Sequence, residues 1–159
     1  MTKQLLARLS GDLKALEYEL KKKLPEEIRK AAALGDLSEN AEYEAALDRQ
    51  RLIQSKYRTL KARINEIAQV DVTRLPQDKV GYGSIVEVLD IDNDKETTYQ
   101  LVLPEDADAK ANRISIGSPI GKALMGKSEG DEVQITIPSG RKHYEIMGIT
   151  PYVETAQDL

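Results

Sequence analysis

Between Tyr43 and Ile67 the seam residues fall at alternating steps of three and four: Tyr43, Ala46, Gln50, Ile53, Tyr57, Leu60, Ile64 and Ile67. That spacing is a heptad seam with one polar interruption, at Gln50, and a helix carrying it must bury the seam against another helix. The partner lies upstream, where Leu6, Leu9, Leu13, Leu16 and Leu20 are followed by Leu24, Ile28 and Ala31. Here the pattern slips by one residue after Leu20, and Pro25 sits in the slip. Proline removes a backbone donor and crowds the preceding turn, so a bend is expected there. Leu34-Gly35-Asp36-Leu37-Ser38 joins the two segments. Gly35 suits a helix C-cap, and Asp36 or Ser38 the next N-cap. So short a connection allows only antiparallel neighbours. Residues 1–72 are therefore expected to form a coiled-coil hairpin, each arm about 30 residues and roughly 45 Å long. Such a projection buries only a thin seam and serves as a probe or lever.

Residues 73–81 read as a linker, with Pro76 among several polar residues, and 82–159 as a second, β-rich domain. Strand-like segments run over 84–89, 97–103, 132–137 and 141–149, with turns at Asn93-Asp94, Gly130-Asp131 and Ser139-Gly140. Ser118-Pro119 opens a short helix, serine as cap and proline in its first position. The fold class is α+β: a helical hairpin followed by an antiparallel β domain with a short helix.

Charge separates the two parts. Residues 1–70 hold 14 basic and 11 acidic side chains, whereas 71–159 hold 9 and 16. Such asymmetry points to different partners, and the overall charge of −4 argues against a simple nucleic-acid coat. The chain has no Cys and one His, His143, which excludes disulfides, thiolate zinc sites and a histidine metal cluster. His143 lies in a strand segment and reads as a surface residue, not a catalytic one. The opening residues lead straight into charged amphipathic sequence without a signal-peptide pattern, and no run suits a membrane span. A cytoplasmic location and no membrane partner are expected.

The turn of the hairpin is acidic. Asp36, Glu39, Glu42, Glu44 and Asp48 crowd it, with no basic residue from Gly35 to Asp48, while Arg29, Lys30, Arg49 and Arg51 flank it. Asp36 and Glu39 have the spacing of a capping box, which satisfies free N–H groups at a helix start. They are also two hard oxygen ligands suited to Mg²⁺, too few to hold it alone. The two readings are compatible.

Gly35-Asp36-Leu37-Ser38-Glu39-Asn40-Ala41-Glu42-Tyr43 closely resembles the tip signature of the bacterial Gre transcript-cleavage factors, the GreA branch more than the GreB branch. A second match runs from Ile114 to Lys127, and with the length the resemblance covers nearly the whole chain. It implies a hairpin that enters the secondary channel of bacterial RNA polymerase and stimulates cleavage of the nascent RNA 3′ end in backtracked complexes. The polymerase supplies the enzyme, and Asp36 and Glu39 share a Mg²⁺ with its active site; the free factor holds none stably. Asn40, Glu42 and Tyr43 would support the tip, although Tyr43 also begins the seam and has a packing role there. Arg29, Lys30, Arg49 and Arg51 would meet RNA, or else be solvated helix faces. Ser115, Gly117, Ser118, Pro119 and Ile120 would grip the channel rim, and the second domain would be FKBP-like. Prolyl isomerisation does not follow from that shape, because its pocket needs aromatic walls and the chain has no Phe or Trp.

The chain departs from the family pattern at Leu47, where a basic residue is common, and at Glu44, where His is frequent. Both changes make the tip more acidic and bear on RNA contact. Two other readings remain: a channel-occupying inhibitor without cleavage activity, and a coiled-coil adaptor whose tip acids are only caps. A closed hairpin seam favours a monomer.

Overall fold

The computed structural model describes residues 2–34, 37–71 and 75–153, and the side chains of Leu34 and of residues 37–40 lie outside that description. The chain divides into two compact units, Thr2–Val70 and Asp71–Leu159.

The first unit is helical. Helix α1 (Thr2–Tyr18) runs through a π-helical turn (Glu19–Lys23) into α2 (Leu24–Leu34), and α3 (Leu37–Ala68) returns as one unbroken helix. Leu16 shares a groove with Leu60, Leu20 with Tyr57 and Ala31 with Ala46. Numbers rise on one arm as they fall on the other, so the arms are antiparallel. From 41 to 68 every seam position is buried or half-buried, and off the seam only Leu47 and Arg63 are not fully exposed.

The slip on the first arm takes the form of a π-turn just ahead of Pro25. Pro25 has no N–H for the Lys21 carbonyl, and its ring crowds that oxygen. Widening the turn avoids the conflict: the Leu24 N–H reaches the Glu19 carbonyl five residues back. A wider turn holds one more residue, which is the residue by which the seam slips. Leu24 thereby stays fully buried (0% exposed) while Pro25 remains exposed.

The second unit is a five-stranded sheet in the order β3-β2-β1-β5-β4. Its strands are β1 (Ile85–Asp90), β2 (Lys95–Val102), β3 (Arg113–Ser115), β4 (Glu132–Ile137) and β5 (Gly140–Thr150), with α4 (Pro119–Leu124) between β3 and β4. Val86 and Val88 on β1, Val133 and Ile135 on β4, and Tyr144 and Ile146 on β5 face one core with Leu124 of α4. Period-two alternation sends Ile85 to the opposite, exposed face. Val80, inside the stretch read as linker, is buried in this core. The sheet is mixed rather than antiparallel throughout, because β2 and β3 pair in parallel. A parallel pair needs a crossover. Residues 103–112 provide it through two short 3₁₀ turns, ending on Asn112 in the left-handed region (φ 55°).

The hairpin between β1 and β2 is set by Asp90, whose carboxylate accepts N–H bonds from Asp92 and Asn93 and the Asn93 side-chain amide. Those bonds, the Asn93 side chain first, hold its carboxyl below the usual range. Next to it on β5, Tyr144 is 6% exposed. Burial, then a hydrogen bond with Tyr99 and the charge of Asp90, push its phenol up to about 12. The unfolded chain releases this proton first, near pH ~10. Folded stability from this group is therefore complete below that pH and is lost as pH rises toward about 12. Denaturant titrations are expected to show stability falling through that window, and Tyr144→Phe to flatten part of the fall.

Candidate functional sites: the hairpin tip and the loop before α4

Asp36 lies outside the described residues, as do the side chains of Glu39 and Asn40. In sequence, Asp36 falls between the end of α2 at Leu34 and the start of α3 at Leu37. Glu39 belongs to the first turn of α3, where the positive helix end favours carboxylates. Just beyond, Glu42 is exposed and Tyr43 half-buried on the seam.

The structure distinguishes the four flanking cations. Arg29 grips Glu26 with Nε at 3.2 Å and a terminal nitrogen at 2.6 Å, and this holds the Glu26 carboxyl below its ordinary value. Arg51 pairs with Asp48 at 2.6 Å. Arg49 reaches across the hairpin, its Nε donating to Glu19 at 3.0 Å. Among the described residues Lys30 forms no ion pair. A groove of about 450 Å³ beside the tip brings Lys30, Glu42 and Arg49 together with Glu27 over a floor of Ala31, Ala45 and Ala46. Arg29 and Arg51 do not line it. The groove exists because the seam here is built of alanine.

In the second unit, the loop from β3 into α4 is held by its own serines. Ser118 caps α4, its Oγ accepting the Gly121 N–H at 3.0 Å and donating to the Ser115 carbonyl at 2.7 Å. The Ser115 Oγ accepts the Gly117 N–H at 3.0 Å. Both hydroxyls are therefore engaged internally. Gly117 and Pro119 are exposed, whereas Ile120 is half-buried and packs against the core. Ser115 itself closes β3 rather than standing in a loop.

Two residues that pattern reading passes over support these sites. Glu19 looks like one more helix-surface acid; only the one-residue slip marks its turn as special. Gly121 looks like a helix-weakening glycine, yet a Cβ there would lie 2.0 Å from the Ser115 carbonyl oxygen.

Two family descriptions match this chain: "Transcription elongation factor, N-terminal" over residues 1–70, and "Transcription elongation factor, GreA/GreB, C-term" over 75–151. The transcription elongation factor GreA of Rhodospirillum rubrum is 44% identical over 92% of this chain and 93% of its own length. That of Pseudomonas aeruginosa is 38% identical over 94% and 95%. A solved GreA/GreB factor from Nitrosomonas europaea is 30% identical over 57% of this chain and 78% of that one, with a TM-score of 0.43. Matches to both units of the chain, with relatives this similar along nine-tenths of its length, make it a member of the GreA/GreB family of transcription elongation factors.

Proposed function

We propose that the hairpin enters the secondary channel of RNA polymerase and that Asp36 and Glu39 direct Mg²⁺-dependent cleavage of backtracked RNA, rescuing arrested complexes. The observation that carries this reading is the placement of the Gly35–Tyr43 signature at the junction of two long antiparallel helical arms. The arms deliver a narrow acidic point, and membership of the elongation-factor family supplies the process.

Hard carboxylate oxygens suit Mg²⁺, and two of them leave most of its coordination to another active site. A shared Mg²⁺ supplies charge stabilisation for the attacking and leaving oxygens of phosphoryl transfer. Asp36 and Glu39 would hold and orient it, Tyr43 would brace the start of the seam, and Glu42 would add negative potential. Asn40 would help shape the tip. Lys30 is the cation most available to an RNA phosphate, since Arg29, Arg49 and Arg51 would each give up an ion pair to reach one. The C-terminal unit would seat on the polymerase through the exposed Gly117 and Pro119, with Ile120 beside them and Ser115 and Ser118 holding the loop in shape.

The test is RNA cleavage in a stalled, backtracked bacterial elongation complex in Mg²⁺, with and without this protein. Accelerated release of short 3′ fragments is expected. Binding that blocks nucleotide addition without cleavage would replace this reading with a channel inhibitor, and absence of binding would remove both.

A further inference from the structure

We infer that Glu19 and Arg49 are positioning residues that pin the π-turn of the first arm to α3 and so fix the axial register in which the arms arrive at the tip. The inference rests on the cleavage reading for its functional consequence, while its structural half stands apart from it.

The first arm's seam is irregular. Two successive steps of four, Leu20 to Leu24 to Ile28, place one residue more than the heptad allows, and α3 has no matching irregularity. The mismatch is absorbed in the π-turn, and one residue in a helix is about 1.5 Å of rise and ~100° of rotation. Pro25, half-buried Leu20 and buried Leu24 place that turn along the arm, because moving the extra residue by one turn would exchange one of these leucines for Lys21 or Lys23 in the seam. What the turn still needs is a directional contact that holds it against α3.

Glu19 is placed to make that contact. It is the first residue of the π-turn, and its carbonyl takes the Leu24 N–H. Its side chain, 21% exposed, takes the Arg49 Nε at 3.0 Å from the facing helix. Lys21–Glu17, Arg29–Glu26 and Arg51–Asp48, by contrast, are ion pairs three or four residues apart on one helix and cannot hold one arm against the other. Arg49 also lines the groove beside the tip with Glu27 and Glu42, so the pin continues toward the acidic end. Arg49 thus acts through the hairpin's geometry rather than by touching RNA.

The experiment has two arms. The chain has no cysteine, so Lys22→Cys with Lys56→Cys gives a unique spin-label pair across the arms. One narrow distance distribution is expected in the parent, a broadened or second population with Arg49→Gln, and return to one population with Glu19→Arg combined with Arg49→Glu. In backtracked complexes, Arg49→Glu alone is expected to lower the saturated cleavage rate about tenfold, with half-saturation changed by less than about twofold. The charge-swapped protein should recover to within about twofold of the parent. A distance distribution indifferent to Arg49→Gln would overturn the pin. So would a swapped protein as defective as Arg49→Glu, because an RNA contact needs its cation at position 49. If the parent itself stimulates no cleavage, the cleavage reading fails and the distance measurement still decides the pin.

Discussion

Stimulated RNA cleavage is expected to fall by about a hundredfold or more when Asp36→Asn and Glu39→Gln are combined, with little change in folding. The pair of substitutions separates the two chemistries these residues can perform. Asparagine caps a helix about as well as aspartate, and glutamine serves in the last position of a capping box. What the amides lose is charge. Near a helix N-terminus that costs about 0.3–1 kcal/mol in water, whereas at a metal it removes the anionic oxygens on which Mg²⁺ depends. The measurement is the cleavage rate at saturating protein over a range of Mg²⁺, beside thermal unfolding of the free variant. A depressed rate that partly recovers at high Mg²⁺, in a protein that melts nearly like the parent, fits the metal role. Cleavage retained to within about tenfold would remove Asp36 and Glu39 from the chemistry.

The hairpin was legible because its signal is periodic and long. The second arm's seam extends over many turns, and the buried positions of α3 follow it from Tyr43 to Ile67. The slip at Leu20 was legible as an anomaly but not as a π-turn. Apolar spacing records how many residues separate two buried side chains, not which backbone hydrogen bonds accommodate them. The β domain was legible where alternation was sustained, in β1, β4 and β5. It failed at β3, whose three residues are too few for alternation and whose pairing depends on a crossover ending at the left-handed Asn112. The parallel pairing was lost for the same reason.

The candidate sites were legible in composition and less so in partners. Four cations near the tip look equivalent in sequence. In the structure Arg29 and Arg51 are matched to acids three residues away, Arg49 to an acid thirty residues away, and Lys30 to none among the described residues. The first two pairings follow from helical spacing; the third depends on how the arms are set. Leu47 was read as a missing RNA cation. Its half-burial beside the seam shows that it also contributes to packing, so introducing a cation there would remove apolar cover as well as add charge.

Gly121→Ala is expected to destabilise the C-terminal unit by about 3 kcal/mol or more, although helix propensity alone would favour alanine by about 1 kcal/mol. Sterics decide the sign. The added Cβ would lie 2.0 Å from the Ser115 carbonyl oxygen and 3.0 Å from its carbon, and real Cβ contacts essentially never fall under 3.0 Å. The obstacle is backbone and cannot rotate away. Nor can it shift freely, since that carbonyl accepts both the Ser118 N–H at 3.0 Å and the Ser118 Oγ–H at 2.7 Å. Relief requires lifting α4 off β3, which would draw Leu124, fully buried at present, out of the core. Gly117→Ala is the control: its Cβ would meet only the Ser115 Oγ at 3.5 Å, an ordinary contact. Because the chain has two units, whole-chain melting is not a two-state measure. Amide hydrogen exchange along β1 and β5 reads the affected unit directly. Faster exchange there for Gly121→Ala, with α3 amides and the Gly117→Ala protein unchanged, is the expected pattern. Parent-like protection in Gly121→Ala would mean that the loop yields, and a loop that yields could not give Gly117 and Pro119 the fixed shape that docking on a partner requires.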